Sequence, residues 1–253
     1  MTSFRMPGNG LITAGINMKA YLLAAGLGTR LRPVTETTPK CLVPINGRPL
    51  LDYWMDLFNK YGVTDVLVNT HYLADQVSAY ISNHNECGGP HITEFYEPEL
   101  LGSGGTVAAN KDFVLGEESF FICYADNLTN INLGRMKQFH YEHNSSFTMA
   151  LFRAPNPSQC GIAELDKNSR IIDFVEKPAQ PKSDLSNAGV YLANQSLFDY
   201  LPQGQFCDFG NDVIPKLIGK MYGLEIDDYL LDVGTLEKYE KAQLDVKNKI
   251  VEF

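Results

Sequence analysis

The stretch Gly26-Leu27-Gly28-Thr29-Arg30-Leu31-Arg32-Pro33, followed by Pro39-Lys40, puts two glycines and three cations into one short segment. A glycine removes the side chain that would keep a phosphate oxygen away from backbone N–H groups. Arg30, Arg32 and Lys40 add positive charge. Together these features suit a triphosphate, whose charge must be screened before a second anion can approach. Two other phosphate motifs fail here. A P-loop needs four residues between its glycines and then Lys-Ser/Thr, and a dinucleotide fingerprint needs a third glycine where Leu31 stands. A bare Gly-x-Gly is equally consistent with a simple turn.

Two acids complement the loop. Asp126 lies in Tyr124-Ala125-Asp126-Asn127 and Asp232 in Leu230-Leu231-Asp232-Val233-Gly234-Thr235, each after an apolar run. An acid at the carboxyl end of a strand can ligate Mg²⁺, a hard ion usually held by one or two carboxylates plus substrate oxygens. Each also has a plainer reading, Asp126 as a turn residue and Asp232 as an Asx turn before a helix. Asp227 and Asp228 read as solvated charges. Glu176-Lys177-Pro178 follows a strand-like run, although a Glu-Lys pair most often decorates a surface. The histidines His71, His84, His91, His140 and His143 show no metal spacing beyond His140/His143, which reads as one polar helix face.

Such residues need a scaffold that brings them together. The run 19–25 is a short apolar segment ending in the glycine loop, as for a buried strand. Residues 49–60 carry Leu50, Leu51, Trp54, Leu57 and Phe58 at helical spacing, with Pro49 suited to the first turn. Strands are expected over 65–69, 92–96 and 120–124, and helices over 74–81, after Gly104, and over 133–143. This alternation implies a largely parallel α/β sheet. Runs at 147–152, 161–165, 171–175 and 189–192 then predict a smaller, mixed or antiparallel part, before helices at 211–217 and 236–248.

Bulk properties narrow the function. The chain has 253 residues, 44% hydrophobic content and a net charge of -9, which fit a soluble globular protein and oppose nucleic-acid binding. The five cysteines form no CxxC pair, so reduced thiols are expected. No run is long enough for a membrane span and no secretory signal is visible. Residues 1–17 read as a flexible extension, residues 18–253 as one domain, and the compartment as cytoplasmic. Whether the chain forms a homo-oligomer is left open.

The full string G-x-G-T-R-x-R-P, then P-K and Gly47-x-Pro49-Leu50, resembles the signature of the sugar-1-phosphate nucleotidyltransferase family, from Met18 to about Lys241. The resemblance implies a Rossmann-like, mostly parallel sheet flanked by helices. It also implies Mg²⁺-dependent transfer of a nucleoside monophosphate from a nucleoside triphosphate to a sugar 1-phosphate. Nucleotide contacts are then expected from Leu23, Ala25, Gly26, Gly28, Thr29, Gly102 and Gly105, and metal contacts from Asp126 and Asp232. Arg30, Lys40 and Lys177 become the catalytic cations, and Gly161, Glu176 and Asn187 the sugar contacts. Leu101-Gly102-Ser103-Gly104-Gly105 is similar to the Leu-Gly-Thr-(Ala/Gly)-Gly segment of guanylyltransferases, with Ser103 replacing the commoner Thr. It points to GTP with mannose or heptose 1-phosphate. Uridylyl or thymidylyl transfer is the alternative, and a non-catalytic regulatory homologue is the rival of another class.

Overall fold

A computed structural model describes residues 18–253; the extension expected over 1–17 lies outside the described residues. The chain opens on β1 (Met18–Leu23), which ends where the glycine loop begins. A short hairpin, β2 (Pro44–Ile45) with β3 (Arg48–Pro49), leads into α1 (Leu50–Lys60). Next come β4 (Val63–Thr70), α2 (Ala74–Cys87), β5 (His91–Tyr96), α3 (Gly102–Ala109) and β6 (Phe120–Tyr124). Strand β1 pairs in parallel with β4 and β6, and β4 with β5.

The sheet is buried on both faces, so its strands need no polar side. Ala20 and Leu22 of β1 enter one core with Trp54, Phe58 and Val66, while Tyr21 and Leu23 enter the other with Leu67, Phe120 and Ile122. Helix α1 buries all five apolar residues that its spacing marked, each contributing about 1.5–3 kcal/mol of burial. Pro49 caps it rather than entering its first turn, and Gly62, at φ 74°, closes its far end.

The second half comprises β7 (Asn127–Thr129), α4 (Leu133–Glu142), β8 (Phe147–Arg153), β9 (Gly161–Leu165), β10 (Ile171–Glu176) and β11 (Leu185–Ala193). It ends with α5 (Ile214–Leu217), β12 (Tyr222–Glu225), β13 (Leu230–Asp232) and α6 (Leu236–Lys247). The antiparallel part is continuous with the parallel one because β11 pairs antiparallel with β6. The result is a nine-stranded sheet of order β10-β9-β11-β6-β1-β4-β5, with β8 also on β11 and β12 beside β8. Among the described residues no helix is long and apolar enough to cross a membrane.

Three expectations need correction. Helix α2 runs on to Cys87, because the Asn85 side chain exchanges hydrogen bonds with both backbone groups of Ile92 and ties the polar last turn to β5. The helix expected over 211–217 is a π-type turn, Phe209–Val213, followed by the single turn of α5. His140 does not share a polar face with His143: it is buried and hydrogen-bonded to Thr148 on β8.

Candidate active site

The glycine loop leaves β1 at the carboxyl edge of the sheet. Its first amide, Ala24 N–H, donates to Asn69 Oδ1 at 2.6 Å. The two glycines differ in what requires them. A methyl at Gly26 would meet nothing within 4 Å, so that position faces open space. Gly28 has φ 63°, and a methyl there would lie 2.9 Å from Thr35 Cγ2. Thr35 also donates to Gly28 O, so Gly28 serves the loop's own turn. Thr29–Leu31 then forms a 3₁₀ turn that buries Leu31 and leaves Arg30 exposed.

Asp126 and Asp232 meet because β13 pairs antiparallel with β7, setting Asp232 opposite Asn127. Lys40 Nζ lies 2.6 Å from Asp126 Oδ2 and 3.6 Å from Asp232 Oδ1. Lys238, on the first turn of α6, lies 3.1 Å from Asp232 Oδ2. A methyl at Gly234 would come within 2.8 Å of Asp232 Oδ1 and 3.2 Å of Arg30 Nη2, so that residue's bareness makes room for both side chains. Burial works to raise the Asp232 carboxyl, but Lys40, Lys238 and Arg30 together hold it below the ordinary carboxylate range. Asp232 Oδ1 is buried and accepts no hydrogen bond among the described residues. An all-oxygen pair with one orphaned buried oxygen fits a hard divalent cation completed by substrate oxygens.

Beside these charges lies a cleft of about 260 Å³, lined by Leu23, Ala25, Gly26, Lys40, Gly102 and Asp126 among others. Helix α3 forms one wall, and it differs from expectation: the glycine segment is its first turn rather than a loop before it. The amides of Gly104 and Gly105 both donate to Cys207 O, at 2.8 and 3.1 Å, so the helix's free N-terminal donors there are already used. Gly105 is buried and a methyl would press on Leu101 Cβ and Gln205 O, which makes it a packing residue; Gly102 is the one that lines the cleft.

The proposed sugar contacts gather on β9, β10 and β11. Gly161 is paired with Glu176, and a methyl there would stand 2.6 Å from Glu176 Oε2 and 2.5 Å from Phe174 Cζ. Its bareness therefore seats the Glu176 carboxylate. Lys177 has φ 47°, donates its amide to Cys160 O and leaves an exposed ammonium 3.5 Å from Glu176 Oε1. Asn187 donates to the Tyr191 hydroxyl at 2.6 Å and accepts from Gly189 N–H. Tyr191 in turn meets Tyr124 edge to face, with ring centroids 6.1 Å apart. Both phenols are pushed up by burial first.

Two groups went unmarked in the sequence. Beneath the cleft, buried Glu97 accepts from Asn69 Nδ2 and Thr106 Oγ1 through Oε1 and from Leu101 N–H through Oε2. It ties β4, the end of β5 and α3 together. A polar residue at the carboxyl end of each adjacent strand was the available signal. Lys238 is the second; its only signal was its place on the helix after Asp232.

A model of the family described as "Nucleotidyl transferase" matches residues 19–249. A D-glycero-alpha-D-manno-heptose 1-phosphate guanylyltransferase of Aneurinibacillus thermoaerophilus is 32% identical, over 92% of this chain and 100% of its own. A UTP–glucose-1-phosphate uridylyltransferase of Synechocystis is 30% identical over 89% of this chain. The chain spans about three fifths of the length of that relative and of others it matches, 62% in the Synechocystis case. Among solved structures, a putative glucose-1-phosphate thymidylyltransferase from Bacillus anthracis superposes with a TM-score of 0.80 at 23% identity, covering 93% of this chain and 97% of its own, a likeness of fold.

Proposed function

The chain belongs to the nucleotidyl transferase family, and we propose that it transfers a nucleoside monophosphate from a nucleoside triphosphate to a sugar 1-phosphate. The observation that carries this reading is the cluster of Arg30, Lys40, Asp126 and Asp232 at the mouth of a glycine-lined cleft. The favoured pair is GTP with mannose or heptose 1-phosphate, supported by the full-length match to the heptose 1-phosphate enzyme. The match to a glucose-1-phosphate uridylyltransferase supports UTP as the second reading.

In the proposed reaction an oxygen of the sugar phosphate bonds to the α-phosphorus. The bond from that phosphorus to the bridging oxygen breaks, and pyrophosphate leaves with the electron pair. The nucleophile is already anionic near neutral pH, so no general base is needed. Acceleration then rests on positioning and charge neutralisation. Arg30 stabilises charge on the departing pyrophosphate, and Lys40 screens the triphosphate while holding both carboxylates in place. Lys177 neutralises the acceptor phosphate, while Glu176 and Asn187 bind hydroxyls of the sugar. Asp126 and Asp232 would hold Mg²⁺, which when bound supplies further neutralisation of the reacting phosphates.

Pyrophosphate release in the presence of Mg²⁺ tests the reading. GTP, UTP, dTTP, CTP and ATP are each paired with mannose, heptose, glucose and N-acetyl-amino-sugar 1-phosphates. One productive pair is expected and defines base and sugar together. Silence from folded, nucleotide-binding protein would replace this reading with the regulatory one.

A further inference from the structure

At the mouth of the cleft two carboxylates face two ammonium groups and the Arg30 guanidinium. Lys40 is the enclosed partner: its side chain is 10% exposed and within 4 Å of both acids. Lys238 is the free one: its side chain is 41% exposed and touches Asp232 through a single oxygen. A divalent cation entering beside Lys40, Lys238 and Arg30 would add to positive charge that already exceeds that of the two acids, a large cost in a partly buried site. One ammonium must withdraw, and only Lys238, on a flexible four-carbon stem reaching solvent, can do so cheaply.

The helix itself does not ask for this lysine. Thr235 caps α6 by accepting from Lys238 N–H, which puts Lys238 at the third helical position. An acid or Gln is favoured there, and a cation is opposed by the helix dipole.

We propose that Lys238 is a tethered counter-ion for Asp232, which yields the carboxylate to a divalent cation. The proposal rests on the nucleotidyl-transfer reading of the same site.

The test begins with Mn²⁺ alone, titrated into the whole chain and followed by electron paramagnetic resonance. Lys238→Met should bind Mn²⁺ about 2- to 5-fold more tightly than wild type, the range set by losing one partly exposed ion pair. Lys238→Arg should stay near wild type, and Asp232→Asn should lose the site. Unchanged or weaker Mn²⁺ binding in Lys238→Met would overturn the proposal while leaving the transfer reading intact. Mn²⁺ binding that ignores Asp232→Asn would instead overturn the metal assignment, and this proposal with it.

Discussion

Gly234 illustrates how a residue without a side chain can govern those that have one. A methyl group there would displace the Asp232 carboxylate and the Arg30 guanidinium, both at the free ends of flexible side chains. The fold can absorb such a shift, but catalysis that depends on placement cannot. Gly234→Ala is therefore expected to unfold in urea like wild type and to lose about 10²-fold in turnover, as for a misplacement of about 1 Å. Arg30→Ala should lose at least about 10²-fold, as for a removed transition-state donor, measured as kcat in the pyrophosphate assay. Near-wild-type kcat in a folded Arg30 variant would remove it from the chemistry. The loop and its cations were legible because they are consecutive in the chain. That Gly28 serves a turn and Gly26 faces open space was not, since what separates the two is the positive φ of Gly28 and the packing of Thr35 and Lys40 against it.

Helix α3 shows what a sequence pattern leaves open. Its glycines marked a ligand wall, yet most of them answer to the segment ending at Cys207. Gly102 has φ 76°, and a methyl there would stand 2.5 Å from Cys207 O, a backbone atom that cannot swing aside. Gly102→Ala should therefore cost about 1–3 kcal/mol in urea unfolding, the range for a strained left-handed residue. Nucleotide affinity should fall with it, because Gly102 also lines the cleft. An unshifted midpoint would show that the Cys207 segment gives way. Elements with strong periodicity, such as α1 and the strands of the parallel half, were readable directly from the chain. The pairing of β13 with β7, which brings Asp232 to Asp126, was not, because three-residue strands carry no periodic signal and their partner is distant in sequence.

The sheet runs without a break through both halves of the molecule, and His140 gives its stability a pH dependence. It lies between α4 and β8, 2% exposed, bonded to Thr148. Burial pushes its imidazole from 6.5 down to about 4, so the folded chain holds it neutral. Between those two values the unfolded chain binds a proton that the native chain refuses, and stability falls as pH falls. Above pH 6.5 both states are neutral at this position and it contributes nothing. The depressed carboxyls, Asp166, Asp173, Asp232 and Asp245, act in a different window. Their stabilisation is present above the ordinary carboxyl value of 3.8 and is lost only as pH drops through the lower folded value. A loss between pH 6.5 and about 4 that depends on residue 140 therefore belongs to the histidine. Urea unfolding at pH 7 and 4.5 should show wild type losing about 2–3 kcal/mol more than His140→Gln, following about 1.4 kcal/mol per pH unit for one proton. Equal losses in the two proteins would mean that the folded chain lets His140 take up its proton, through local opening of α4 from β8.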